Sequence, residues 1–436
     1  MKNILMQVII SIFGLSVFSQ TKIELVKEFD STEGTHISNF IKHNGRLMFF
    51  VENTDKIQLW SSDGSQKGTI LENIINPNGK LNFNPSPITI NENLYFLEHN
   101  ETGETIVWMR KKGENNLTRI SLTNQSIKIN SKLQPATNEQ FYFSTIDQHK
   151  NQLWVSNGTK EGTKLLKDIN PNLTFLTELN RKVYFSANDG NGDQPWVSDG
   201  TPTGTMVLKM IEESPGAQPI GLTAYNNKLV FTAYNMEYEY GYGPLWISDG
   251  TSEGTKIIKD IIVNGWSFAQ LHDKLYFTAS EKNDHLQLWV TDGTTKGTKL
   301  VKTINPNGSS NAMGFTEFNG KLYFSADDGK GSQLWVTDGT TEGTTLLKTI
   351  KSDGNSAPQS FSQLGSKLYF IARSNKSGIQ LFETDGTEKG TKLISPVNPL
   401  AHECCLPNKD QLFYFNNALY FSADYGNGIH LYKITN

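Results

Sequence analysis

The segment Gln333-Leu334-Trp335-Val336-Thr337-Asp338-Gly339-Thr340-Thr341-Glu342-Gly343-Thr344 constrains this chain more than any other, because close copies of it recur along the whole length. Aligned on the residue before the aromatic position, the copies begin at Leu59, Val107, Leu153, Pro195, Leu245, Leu288, Leu334, Leu381 and Leu431, with successive starts 42 to 50 residues apart. A period of that length marks an array in which each unit buries its apolar faces only against its neighbours. Such an array escapes the size limit at which one conventional core gives way to separate domains.

Each period divides into four short segments without helical periodicity. Phe315 to Phe318 reads as a first strand, and Asn319-Gly320 as a tight hairpin, since both residues tolerate positive φ. Lys321 to Ala326 is a second strand, Asp327 to Gly331 a longer turn, Gln333 to Thr337 a third strand, Asp338 to Thr344 its turn and Thr345 to Ile350 the fourth strand. The middle strands are unbroken apolar runs, Leu322-Tyr323-Phe324 and Leu334-Trp335-Val336, as strands buried on both faces are. The fourth mixes lysine into leucine, as an edge strand does. These features predict an all-β fold, a single β-propeller of four-stranded blades. The connections from each fourth strand to the next first strand, such as Asn305 to Ser310, are expected to be the longest. They share a top face with the second-to-third-strand turns, opposite the hairpin and Asp-Gly-Thr turns.

The two ends of the chain predict how the ring closes. Ile429 to Ile434 reads as a third strand with no fourth after it, while Ile23 to Phe29 resembles Thr345 to Ile350. Lys27 to Gly45 spans 18 residues, as does Lys348 to Ser366. A closing strand at 22–29 therefore supplies the outer edge of the last blade, giving nine blades from nine repeats of about 46 residues. Eight blades is the runner-up, because the second repeat replaces the aspartate turn with Arg110-Lys111-Lys112-Gly113.

The motif stands as Leu-Trp-Val-Ser-Asn-Gly-Thr at 153–159 and as Leu-Trp-Ile-Ser-Asp-Gly-Thr at 245–251, and in this it resembles the bacterial ELWxxDGT-repeat proteins. The resemblance covers nearly the whole chain. It implies a secreted or surface protein of propeller type, and it implies no catalytic signature.

Lys2, the apolar run Ile4 to Phe18 and the small residue Ser19 read as a signal peptide at 1–19, with an uncleaved N-terminal anchor as the alternative. The run is too short for a stable span, and no later stretch is apolar enough for one. Residues 20–436 are then one propeller domain that is secreted, periplasmic or at the cell surface. A net charge of −4 with mixed signs leaves no basic footprint for nucleic acid. Cys404 and Cys405 are the only cysteines, adjacent, and read either as two thiols or as a vicinal disulfide. They cannot staple a fold of this size, and no second pair completes a zinc site.

The motif invites chemistry but has a structural use. Asp63, Asp199, Asp249, Asp292, Asp338 and Asp385 each precede a glycine, where a short carboxylate can accept its own turn's N–H groups. A repeated calcium site needs several carboxylates per loop. Asp189, Asn191 and Asp193 form a weak calcium candidate with alternating oxygen donors but no bidentate glutamate, so no metal or cofactor is expected. The tryptophans at 60, 154, 196, 246, 289 and 335 share one repeated place and read as core. No His-Glu-x-x-His or Gly-x-Ser-x-Gly occurs, and no catalytic residue is assigned. One insertion breaks the regularity, Tyr234 to Gly243, and places Tyr234, Tyr238, Tyr240 and Tyr242 together as candidate ligand-binding residues. The expected function is an exported binding or scaffold module for a glycan or protein partner. The alternatives are a carbohydrate-active hydrolase or lyase on a propeller, which needs a carboxylate pair at a set separation, and a purely structural envelope protein.

Overall fold

The computed structural model of the chain describes residues 21–30, 35–53, 56–76, 85–99, 105–123, 128–137, 139–147, 150–211, 216–233, 242–281, 284–375, 378–395 and 412–436. The expected signal peptide, Cys404, Cys405, Tyr234, Tyr238 and Tyr240 lie outside these residues. Among the described residues every regular element is a strand, and no helix is long and apolar enough to cross a membrane.

Among the described residues, hydrogen bonds gather the strands into eight sheets, six of four strands, one of five and one of seven. The five-stranded sheet is a blade whose first strand is split into Lys128–Ile129 and Gln134–Pro135, both paired with Phe141–Asp147. The seven-stranded sheet is two blades sharing the 16-residue strand Lys256–Leu271. Its first half pairs with Tyr242–Ser248 as an outer strand, and its second half pairs with Lys274–Ser280 as an inner one. Counted by the four-strand unit, the ring has nine blades. The degenerate second repeat forms a full blade of Ile88–Ile90, Asn93–His99, Thr105–Arg110 and Leu117–Ile120.

Lys22–Lys27 pairs antiparallel with Ile429–Thr435 and completes the ninth blade, two residues shorter than the expected 22–29. An apolar cluster fills each of the nine joints between consecutive blades. The joint from ninth to first holds Val26, Phe49, Tyr420 and Leu431, which closes the ring. Within blades, second-strand phenylalanines stack on the repeated tryptophans across the sheet, as Phe143 does on Trp154 at 9° and Phe231 on Trp246 at 14°. The first strands of successive blades approach one another, Asn170–Leu179 against Ile220–Tyr225 and Met313–Phe318 against Gln359–Leu364, and so form the hub.

The crossing connections are not all long. Only residues 168 and 169 separate Lys164–Lys167 from Asn170–Leu179, and Lys256–Leu271 runs from blade 5 into blade 6 without a break. The reason is chain length: Lys167 to Arg181 and Lys259 to Asp273 are 14 residues, against 18 from Lys348 to Ser366.

The repeated motif is consumed in building the ring. Gln333 reaches the top face, where its carbonyl oxygen accepts Ile350 N–H at 2.8 Å and its amide donates to the Lys351 carbonyl at 2.7 Å and the Gly354 carbonyl at 3.0 Å. Gln287 holds the preceding crossing loop through Ile304, Asn305 and Gly308 in the same way. On the opposite face, Asp338 Oδ1 accepts the Thr340 N–H at 2.9 Å and the Thr340 hydroxyl at 2.7 Å. The Thr340 hydroxyl oxygen in turn accepts Gly343 N–H at 2.9 Å, and Thr344 donates to the Thr340 carbonyl at 2.6 Å. Asp63, Asp199, Asp249, Asp292 and Asp385 make the same pair of bonds to the residue two positions on.

The glycine after the aspartate, or after Asn157 in blade 3, adopts positive φ, and in five of these turns it admits a tyrosine from the preceding blade. The Tyr420, Tyr95, Tyr184, Tyr276 and Tyr323 hydroxyls lie where a Cβ on Gly64, Gly158, Gly250, Gly339 and Gly386 would have to go. Blade 1 carries Met48 at the tyrosine position, as blade 5 carries Val230, and blade 2 carries Arg110 where blades 1 and 3 to 8 have serine or threonine. Arg110 lies 3.8 Å from the Met48 sulfur and pairs with Glu72 at 3.0 Å. The degenerate turn and the missing tyrosine are therefore one matched change at one joint.

Candidate functional site

With the motif accounted for, the residues that could act on a ligand are those that depart from the repeat. The departures concentrate on the hub side of blades 4 to 6. Four first strands carry a bulge with positive φ, at Asn39, Gly221, Gly314 and Ser360, where two residues oppose one on the second strand. In blades 4 and 6, where the crossing is shorter, the bulge is wider. Asn172 pairs with Ser186 and the next pair is Thr177 with Tyr184, and Asn264 pairs with Thr278 and the next is Phe268 with Phe277.

Both wide bulges open with the same device. Asn172 Oδ1 accepts Thr174 N–H at 3.1 Å, and Asn264 Oδ1 accepts Trp266 N–H at 3.1 Å. The chain then projects an aromatic ring, Phe175 from blade 4 and Trp266 from blade 6. The rings meet edge to face at 5.4 Å across the first strand of blade 5. They can meet because that strand is recessed: Gly221 has φ 67°, and any side chain on it would strike the Gly265 carbonyl. Gly265 is itself enclosed by Thr232 and Ile220. The Thr177 hydroxyl donates to the Leu222 carbonyl at 2.6 Å and ties the third bulge in. Trp266 keeps 45 % of its surface exposed, whereas the seven other tryptophans are buried or half-buried.

Of the candidate tyrosines, only Tyr242 is described. It opens the strand Tyr242–Ser248, is half-buried and pairs with Asn264, the residue that caps Trp266. The insertion therefore re-enters the sheet beside the Trp266 bulge. The structure brings together one residue read from the sequence and two that were missed. A signal for the missed ones was present: Trp266 is the one tryptophan of eight that stands off the repeated position, inside one of the two shortened spacings.

The calcium candidate spends its oxygens locally. Asp189 Oδ1 accepts Asn191 N–H at 3.2 Å and the Asn191 amide at 3.1 Å, and Asn188 Oδ1 accepts Gly190 N–H at 2.7 Å. Burial raises the Asp193 carboxyl above its usual range, and its backbone carbonyl accepts Ala217 N–H at 2.7 Å from the crossing loop. Among the described residues no three of His, Cys, Asp and Glu stand where they could share an ion. An open groove of about 400 Å³ lies elsewhere, between the outer strands of blades 8 and 9, lined by Thr21, Ile23, Ile394, Tyr425 and Tyr432.

No family model matches the sequence, and no curated protein does. Solved structures that align with it include a puromycin-hydrolyzing peptidase of Mycobacterium tuberculosis, 14% identical with a TM-score of 0.40, over 77% of this chain and 56% of that one. A prolyl endopeptidase is 12% identical with a TM-score of 0.45, over 82% of this chain and 49% of that one. The β-propeller domain of the Trilobed protease from Pyrococcus furiosus is 16% identical with a TM-score of 0.37, over 71% of this chain and 96% of that domain. The chain thus spans about half the length of the two peptidases. A likeness at this level says nothing of what this chain does.

Proposed function

We propose that this chain is an exported, non-catalytic binding module that takes a glycan or protein partner on the hub side of blades 4 to 6. The observation that carries the proposal is Trp266, a large aromatic held 45 % exposed by a capped bulge and braced by Phe175. An indole left in water forgoes about 1.5–3 kcal/mol of burial, and here two glycines and two asparagine caps are arranged to keep it there. The root of the tyrosine insertion at Tyr242 lies in the same place and is assigned to the same surface. Export rests on the apolar segment Ile4 to Phe18 and on the resemblance to the ELWxxDGT-repeat proteins.

The test is a glycan array and a partner capture from the organism's surface fraction, run beside a screen for released reducing ends. Binding without turnover supports the module. Turnover of a bound glycan overturns it in favour of an enzyme.

A further inference from the structure

We infer that the surface around Trp266 takes an uncharged oligosaccharide, with a sugar ring stacked on the indole; this rests on the binding-module reading above and narrows it to one ligand class.

The first argument is charge. The hub segments that surround the ring, residues 170–177 of blade 4, 220–225 of blade 5, 261–270 of blade 6 and 313–316 of blade 7, contain no Asp, Glu, Lys, Arg or His. An ionic ligand brought against these segments would lose hydration without gaining a counter-charge from them, which is costly. What the segments do offer is amide and hydroxyl groups: Asn170, Asn172 and Thr174 are exposed and Ser267 is half-buried. Those groups match sugar hydroxyls as both donors and acceptors.

The second argument is size. The exposed part of one indole is about 100 Å², whereas a stable protein interface needs about 800 Å² from each partner. A flat apolar face of ring dimensions, edged by polar groups, suits a pyranose, whose C–H face is apolar and whose rim is hydroxylic. Met313, on the neighbouring first strand of blade 7, is a second exposed apolar side chain on the hub side. A chain of several sugars therefore fits better than a monosaccharide.

The experiment uses the full mature chain, with cellohexaose, laminarihexaose, mannohexaose and chitohexaose as probes, read by calorimetry and tryptophan emission. At least one hexasaccharide is expected to bind and to protect Trp266 from acrylamide quenching. Trp266→Ala should weaken that binding by about tenfold or more, Trp266→Phe should keep most of it, and Phe175→Ala should fall between. Melting temperatures of the phenylalanine variant and the parent should coincide. Failure of all four sugars, with Trp266-dependent binding of an uncharged proline-rich peptide instead, overturns the sugar class and leaves the binding module standing. A hexasaccharide bound equally well by parent and Trp266→Ala overturns the site. Should the alanine variant unfold, acrylamide protection in the parent decides: no protection on sugar binding overturns the site equally.

Discussion

The hydroxyl of Tyr276, on the second strand of blade 6, fills the space beneath Gly339 in the turn of blade 7, closer than a Cβ on that glycine would allow. Gly339 has φ 94°, so a side chain there is strained even without the tyrosine. Gly339→Ala should cost about 3 kcal/mol, the sum of a left-handed non-glycine residue and an overpacked contact. Adding Tyr276→Phe removes the clashing oxygen and should recover about 1 kcal/mol of that loss. Urea denaturation of the four proteins in the cycle measures the coupling. Additive effects would mean that the contact carries no energy.

Asp338 caps its own turn, and nature has already tried the nearest substitute. In blade 3 Asn157 accepts the Thr159 N–H at 3.0 Å and the Thr159 hydroxyl at 2.7 Å, the same bonds made by Asp338. Asp338→Asn should therefore be nearly neutral, while Asp338→Ala loses both bonds to Oδ1 and should cost about 1 kcal/mol. Melting temperatures with calcium and with chelator should agree for all three proteins. A large calcium-dependent rise would contradict the turn's local use of its carboxylate.

Two groups of blade 1 predict opposing pH slopes. Burial, with a smaller push from Arg110, holds His43 at about 4, below its usual 6.5. Between those values the folded chain binds fewer protons there than the unfolded chain, and stability rises with pH. Burial raises Glu52 from 4.5 to about 7, against a smaller lowering by the Ser38 hydrogen bond. Between those values the folded chain binds more protons, and stability falls with pH. The two offset each other where the windows overlap. His43→Leu should leave the chain more stable at pH 5 than at pH 7, and Glu52→Gln should do the reverse. Denaturation midpoints that follow the parent's pH profile in both variants would refute the pair.

The ring's seam is held at one tyrosine, which meets both Thr21 and Asn436. The Tyr369 hydroxyl donates to Asn436 Oδ1 at 2.8 Å and lies 3.1 Å from the Thr21 hydroxyl, in the place where other blades present a turn glycine. Thr21 also bonds Glu383, which is 3 % exposed and paired with Lys367 at 2.9 Å and Lys392 at 3.4 Å. Burial alone would raise the Glu383 carboxyl, but the Thr21 and Lys367 bonds and the lysine charges outweigh it and hold it below its usual range. Its contribution is therefore present above the unfolded value and lost as pH falls through the folded one. Tyr369→Phe should cost about 1–2 kcal/mol through the lost bonds. It should also speed amide exchange in Lys22–Lys27 selectively. Tyr323→Phe, at the equivalent place away from the seam, should leave that strand's exchange unchanged.

Much of this architecture is written in local pattern. Asn319-Gly320 announces its hairpin and adopts φ 51° and 73°, and the copy number and the borrowed first strand follow from spacing alone. Contacts across joints are harder to read, because the glycine that admits Tyr276 is 63 residues further on and nothing near either one names the other. The shared strand of blades 5 and 6 was hidden for another reason. Lys259 to Gly265 has the length of a connection, and only its shortfall of four residues against the other repeats shows that it must run straight. Trp266 was visible as an off-register tryptophan, yet a bulge that turns a ring outward depends on Gly221 of a different repeat yielding space.

The strand Lys256–Leu271 also makes blades 5 and 6 inseparable in a way the other joints are not. A strand's side chains alternate between faces, so a slip of one residue along it would turn the wrong face to the core in both blades at once. Recombination that adds or removes a repeat can cut at a loop elsewhere in the ring, but here it would have to sever a hydrogen-bonded ladder. The two blades that present Trp266 beside Tyr242 are thus joined by one continuous strand, Lys256–Leu271.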